Sequence, residues 1–409
     1  PTAPADARDA QKGRPPMTSL AAPPGRTPTT PAGPDDRPVV PADRRGRGRI
    51  GPVAVGQLVL VEVCAVAVWA AVGGPVWLVA VVGGLAALVL AATFLRRDGR
   101  WWYEDLLLRR RLGHRRDQAR AAVAEGRVVD PRLAALTPEL SLIELTERGT
   151  RLGIGQDGRG WFAAVVLTGR PGAPAGSVES SAVDRALRVL ADFSGPVTLT
   201  QVVSHTLVWY PAPGAPAAAH RTVWVALRLS VPDARSEALA RGGGMPGVHR
   251  TVAAAVGRLG KALTAAGLGH RVLGRDELRA AVVSAAGLDL APAAPAETWT
   301  GLRGGGWTQR CLTLRRRPEA PLGTLVDAVT ATSAPSHTVA AVVVPGSRPV
   351  PPLLRVAAPD GHVEALVKVV REVAHRCGIP ARPLDGQHGP GVYATTPVAT
   401  AAGTIRVGD

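Results

Sequence analysis

Residues 53–95 read VAVGQLVLVEVCAVAVWAAV, then GGP, then VWLVAVVGGLAALVLAATFL. The first run, 53–72, holds one acid (Glu62), one Gln and no base; the second, 76–95, holds no charge. Each is about 20 residues, what a hydrocarbon layer of about 30 Å requires of a helix. Gly73-Gly74-Pro75 between them breaks a helix and makes a tight turn. The expectation is helix, turn, helix: a transmembrane hairpin. A signal peptide has a shorter apolar core and a small-residue cleavage site. A buried soluble hairpin rarely keeps an apolar run this long free of charge.

The flanks set the orientation. Arg44, Arg45, Arg47 and Arg49 precede the first run, Arg96, Arg97 and Arg100 follow the second, and the turn is uncharged. The positive-inside rule then puts both outer ends in the cytoplasm, giving a multi-pass protein of the inner (plasma) membrane with both termini inside. Trp101 and Trp102 follow at the depth of an aromatic belt. Within the hairpin, Ala80 with Gly84, and Gly83 with Ala87, have the small-xxx-small spacing that lets helices approach closely, or they reflect general Ala/Gly richness. Glu62 falls near mid-membrane, where an acid is costly unless it faces protein. A contact with a partner helix is the expected role, against a helix shifted to bring Glu62 nearer the surface.

Beyond the second run, residues 96–120 hold nine Arg against four acids. Leu106, Leu107, Leu108 and Leu112 are interleaved with Arg109, Arg110 and Arg111. This predicts a basic amphipathic helix on the inner leaflet, with anionic lipid headgroups as its partners. Residues 1–46, rich in Pro, Thr, Ala, Gly and Asp without apolar period, read as a disordered tail; Met17 offers an alternative start. The chain carries a net charge of +16, but this comes with a general Arg, Ala, Val, Gly and Pro bias and is weak evidence for a nucleic-acid partner. Cys64, Cys311 and Cys377 lie far apart, so neither a disulfide framework nor a zinc site is expected.

From about residue 150 strands and helices alternate. Strands are expected at 160–169, 197–210, 220–230 and 270–273, and helices at 181–193 and 247–267, giving βαββαβ. A second βαββαβ follows, with strands at 306–316, 338–344, 352–357 and 379–384 and helices at 322–332 and 361–377. Gly160-Trp161 and Gly306-Trp307 open the two units, and Gly267 with Arg271 near the first close echoes Gly378 with Arg382 near the second. These echoes suggest a duplication, each half compatible with a ferredoxin-like unit. The fold class is therefore a membrane-anchored α+β protein. It divides into a tail (1–46), a hairpin (47–97, with spans 53–72 and 76–95) and a juxtamembrane helix and linker (98–149). A first unit (150–274), a connecting helix and linker (275–296), a second unit (297–385) and a C-terminal tail (386–409) complete it.

The chain has no GxxxxGK[ST], HExxH, GxSxG or kinase set. Gly257-Arg258-Leu259-Gly260-Lys261 has the wrong spacing for a phosphate loop. Gly242-Gly243-Gly244 and Gly304-Gly305-Gly306 read as loops. His205 and His220 read as structural, Asp157, Asp233 and Asp276 as turn or cap residues, and Trp161, Trp209, Trp224, Trp299 and Trp307 as core or interface anchors. No catalytic residue, cofactor or metal site is expected. Two alternatives stay open: a membrane-anchored transferase using a nucleotide-linked donor, and a basic DNA- or lipid-binding regulator.

RGRGRIGPVAVGQLVLVE (45–62), the hairpin, DGRWWYEDLLLRRRL (98–112), GQDGRGWFAAV (155–165), RGGGMPGVHRTVAAAVGRLGKALTAAGLGHRVL (241–273) and ETWTGLRGGGWTQRCLTLRRRP (297–318) together resemble the EccE component of the actinobacterial type VII (ESX) secretion system. None is a catalytic signature; the order carries the likeness. The resemblance implies a non-enzymatic structural subunit of a membrane secretion complex, with EccB, EccC and EccD as partners, EccC supplying the ATPase, and no nucleic acid.

Overall fold

A computed structural model describes residues 49–401, except 51–52, 98–99, 148, 170–176, 212–216, 290, 292, 316–319, 333 and 345–349. The tail expected at 1–46 lies outside the described residues. The chain enters through two short strands, β1 (Arg49–Ile50) and β2 (Val53–Ala54), paired antiparallel. Helices α1 (Val55–Ala71) and α2 (Val76–Phe94) pack on each other around the Gly-Gly-Pro turn. A second short pair, β3 (Arg96–Arg97) and β4 (Arg100–Trp101), leads into α3 (Trp102–Ala124).

The body begins with β5 (Ser141–Glu147), β6 (Thr150–Asp157), β7 (Gly160–Leu167), α4 (Ser181–Ala191), β8 (Leu199–Trp209) and β9 (Ala218–Ser230). Then come α5 (Val231–Leu239), α6 (Gly244–Ala265), β10 (His270–Val272) and α7 (Arg275–Ala285). Its second half is β11 (Ala296–Glu297), β12 (Leu302–Gly304), β13 (Trp307–Leu314), α8 (Leu322–Thr330), β14 (Ser336–Val343), β15 (Leu353–Pro359), α9 (Val363–Arg376), β16 (Ala381–Pro383) and α10 (His388–Ala394).

The protein is thus mixed α+β around one large antiparallel sheet. Its order is β5-β6-β7-β9-β8-β14-β15-β13-β12-β11, with β10 also on β7 and β16 also on β13, twelve strands in all. The first half runs β10-β7-β9-β8 and the second β16-β13-β15-β14, the same order of equivalent strands. The halves are joined rather than separate: β8 pairs with β14 from Thr200↔Val343 to Leu207↔Ser336. The reason lies in β8, whose residues 200–206 are buried on both faces. A strand with two buried faces cannot serve as a free edge.

Register refines the internal echo. Arg271 lies opposite Val166, six residues past Gly160, and Arg382 lies opposite Thr313, six past Trp307. Gly160 and Trp307 are in turn the first paired residues after their turns, opposite Asp157 and Gly304. The two arginines therefore occupy the same rung, while the two Gly-Trp pairs are displaced by one residue. Gly267 and Gly378 end the long helices with φ of 69° and 71°, the left-handed cap conformation that glycine adopts without penalty.

One face of the sheet packs under α4, α6, α8 and α9. Their buried positions recur at i, i+3, i+4 and i+7, as in Val363, Leu366, Val367 and Val370 of α9. Each such side chain contributes about 1.5–3 kcal/mol through burial. The opposite face packs under α7, α10 and Leu133–Leu140 residues. Three expectations change here. Helix α7 does not merely connect the halves but covers β5 and β6. The first half starts earlier than residue 150, because β5 lies in the region expected as linker. Residues 386–401, expected as the front of a tail, form α10 and a buried extended stretch with Val392, Val398 and Ala399 each fully buried; the remainder, 402–409, lies outside the described residues. Apolar side chains over an otherwise bare sheet face explain the docking.

Candidate functional site

Helix α1 turns Gln57, Cys64 and Ala71 toward α2, all buried and seven residues apart, the repeat that keeps one stripe facing a neighbouring helix. Gln57 Nε2 donates to the Thr93 carbonyl at 3.2 Å. Glu62 lies roughly 150° around the helix from that stripe at 100° per residue, and it is exposed. Among the described residues its carboxylate has no hydrogen-bond or ion-pair partner. Ala80, Gly84 and Ala87 are likewise exposed on the side of α2 away from α1, while Gly83 is half-buried. A Cβ built on Gly83 or Gly84 would meet nothing within 4 Å. The small residues therefore do not mediate the α1–α2 contact.

No residue of α2 is buried. At 19 residues it is the one described helix long and apolar enough by itself to cross a membrane; α1, at 17, is shorter. Trp69 and Trp77, 79% and 66% exposed, flank the turn.

Helix α3 departs from the sequence expectation. Its inward stripe, Glu104, Leu108, Leu112 and Ala122, is buried against the protein. Arg115 donates from Nε and Nη2 to the Glu297 carboxylate at 3.1 and 2.9 Å, and from Nη2 to the Gly386 carbonyl at 2.8 Å. Arg116 Nε donates to the Glu297 carbonyl at 2.7 Å. Glu297 also accepts from Gly389 N–H at 2.8 Å. The Arg109 guanidinium lies over the Trp299 ring at 4.7 Å, a cation–π distance. So Arg109, Arg110 and Arg111 are all exposed, but Arg109 also meets the Trp299 ring, and Trp102, Leu106 and Leu107 are exposed as well. The side chain of Trp101 lies outside the described residues. Arg115, Glu297 and Trp299 carry the seam but are 182 residues or so apart in the chain; no local pattern marks them.

Ionisable groups inside the body serve packing. Asp157, expected as a turn residue, pairs with buried Arg228 at 2.6 and 2.9 Å and accepts from the Tyr393 hydroxyl at 2.7 Å. Burial pushes its carboxyl up, but the Arg228 guanidinium outweighs that and holds it below the usual carboxylate value. Arg228 also donates to the carbonyls of Val398 and Ala399, pinning the C-terminal stretch to the sheet. Arg355, fully buried, donates to Gln309 and Thr338, and Thr338 is hydrogen-bonded to His205 at 2.9 Å. Burial lowers Arg355 to about 10 and His337 to about 3, and raises Cys311 to about 12. Among the described residues no group of three His, Cys, Asp or Glu side chains is placed to hold a metal ion.

The family model named EccE, for the type VII ESX secretion system translocon, matches residues 217–314. Over that stretch the chain is similar to the EccE family. The matched residues run from β9 through β13, the half-to-half passage of the body. They include Gly242–Gly267 residues and Glu297, so the matched stretch contains the acid that anchors α3. The match supports a component of a type VII secretion translocon. No curated protein matches the chain.

Proposed function

We propose that this protein is a non-catalytic, membrane-anchored structural subunit of a type VII (ESX) secretion complex. One observation carries the reading: an unburied apolar helix of 19 residues is joined, through a helix clamped by Arg115 and Glu297, to a body containing an EccE region. In this reading α1 and α2 insert together as a hairpin, because the turn is too short to leave α1 outside and α1 covers one side of α2. Both outer ends stay in the cytoplasm by the positive-inside rule. Glu62, facing away from α2, meets a helix of a partner subunit, and the exposed small residues of α2 offer a second helix contact. Arg110 and Arg111 face anionic lipid headgroups, each worth about 1 kcal/mol near such a surface. Arg109, Arg115 and Arg116 are committed to protein instead.

The body is proposed to be two fused ferredoxin-like units arisen by duplication, supported by the shared strand order and the common rung of Arg271 and Arg382. Its partners are the EccB, EccC and EccD components, with no nucleic acid. Purification of the tagged protein from its own membranes in mild detergent tests the assignment: these components should co-elute. Recovery of the protein alone, under conditions that keep the other components assembled, rejects it.

A further inference from the structure

The last strand of each half lies at an edge, and the two edges are finished differently. On β10, Thr168 N–H donates to Gly269 C=O at 2.9 Å and Leu273 N–H to Ala164 C=O at 3.3 Å. By antiparallel alternation, the backbone N–H and C=O of His270 and Val272 then point away from β7. On β16, Arg315 N–H donates to Pro380 C=O and Leu384 N–H to Cys311 C=O, at 2.8 and 2.9 Å. The same parity turns Ala381 and Pro383 outward. There the edge is closed: Pro383 has no N–H to offer, and Arg371 Nε donates to the Ala381 carbonyl at 3.3 Å. Such devices blunt an edge strand against further pairing.

The first half lacks both. Val272 occupies the position of Pro383, on the shared rung numbering. Arg371 precedes the cap Gly378 by seven residues, and seven residues before the cap Gly267 stands Gly260. The His270 ring lies directly over Gly260, where a Cβ would come within 2.7 Å of its Nε2, and a wide-open groove of about 550 Å³ runs beside it between α6 and β10. Gly257, Gly260, Lys261, Thr264, His270 and Val272 line it. A Cβ on Gly257 would touch nothing within 4 Å, so this wall is open to close backbone approach. Lys261 and Thr264 are exposed beside it. Lys261 makes no ion pair among the described residues, whereas the neighbouring Arg271 is taken by Glu277.

We propose that this groove binds an extended segment of a partner polypeptide, added to β10 as a further strand, with an acidic side chain against Lys261. Outward N–H and C=O groups repeating every second residue, about 6.6–6.8 Å apart, match an extended backbone and not a helix. The unpaired ammonium selects the sign of the segment. The internal comparison supplies the specificity: Arg371 caps an outward carbonyl and Pro383 removes an outward N–H in one half, and the other half has neither, only the His270 ring over Gly260. The proposal does not depend on which complex the protein joins.

The test is photo-crosslinking of the full chain in its native membrane, with benzoylphenylalanine placed at Thr264 and, as a control, at its counterpart His375. Mass spectrometry should find Thr264 joined to an extended, acid-containing stretch of another polypeptide, and His375 joined to none. Val272→Pro and Gly260→Arg each rebuild one feature of the closed edge and should cut the cross-link yield roughly tenfold, the effect of one lost hydrogen bond and a filled groove. Lys261→Glu should cut it severalfold. Cross-links only to lipid, to a helix or to another copy of this chain overturn the proposal. So does an unchanged yield in Lys261→Glu, an exposed position on α6 that tests the idea even if Val272→Pro, or Gly260→Arg at its buried site against His270, fails to fold. An acidic extended stretch from a protein outside the secretion complex would sustain this proposal while counting against the proposed function.

Discussion

Replacing Arg228 with Met should destabilise the body by about 4 kcal/mol, the middle of the range of about 3–5 for breaking a buried ion pair from one side. Arg228 is 1% exposed and Asp157 is 7%. The guanidinium meets both oxygens of Asp157 and also the carbonyls of Val398 and Ala399. Met would fill the volume but strand the carboxylate and both carbonyls. Two donors stay on Asp157, the Tyr393 hydroxyl at 2.7 Å and Arg159 N–H at 2.9 Å, which keeps the cost from rising further. An unfolding entropy of about 2.1 cal/mol/K per residue over about 350 residues converts this into a fall in Tm of roughly 5 °C. Circular dichroism of the detergent-solubilised protein reads it. The double variant Arg228→Met with Asp157→Leu should recover part of the loss, because the stranded carboxylate is gone while the Val398 and Ala399 carbonyls and the Tyr393 hydroxyl still lack their partners. A single variant within 1 °C of the parent, or a double variant worse than the single, would refute the reasoning.

The remaining expectations concern acid, close packing and the α3 seam. His337 has its pKa lowered by burial to about 3, so between pH 6.5 and 3 the unfolded chain binds a proton that the folded chain does not. Stability should therefore fall by about 1.4 kcal/mol per pH unit from this group as pH drops through that window. The lowered Asp157 adds a further loss as pH falls below about 4, the ordinary carboxylate value. Urea midpoints at pH 7 and 5 should differ, and the difference should shrink in His337→Asn; equal midpoints in the parent would contradict this. A Cβ at Gly153 would lie 2.6 Å from the Gly274 carbonyl oxygen, so Gly153→Ala should cost about 1–3 kcal/mol as overpacking, read from the same urea curves. Glu297→Ala removes both Arg115 bonds and the acceptor of Gly389 N–H. Hydrogen exchange within 102–124 should then rise, while the sheet amides keep their protection; unchanged exchange in α3 would show that the seam does not hold it.

Periodic elements were legible. The strand expected at 160–169 and the helix expected at 247–267 correspond to β7 and α6, with ends shifted by two or three residues. The β5–β6 hairpin was not legible, because Gly153 and Gly155 interrupt its alternation. Both are required by close approach: a Cβ at Gly155 would lie 2.2 Å from the Phe162 ring. The C-terminal stretch HGPGVYATTPVAT has neither helical nor strand period, and its burial depends on Arg228 and Gln201 far away in the chain. The run of arginines in α3 announced charge but not its destination. Arg109 and Arg115 face Trp299 and Glu297 because those residues lie at the β11 end of the sheet, a fact of topology rather than of local sequence.

Side-specific labelling of the hairpin tests the account most directly. In a chain with its three native cysteines replaced by Ser, a single cysteine at Gly73 should react in intact cells with a membrane-impermeant maleimide. A cysteine at Arg120 should react only after the membrane is opened. Labelling of position 120 from outside, or silence at position 73 under conditions that label an external control, would contradict a hairpin whose turn faces out and whose body stays in the cytoplasm.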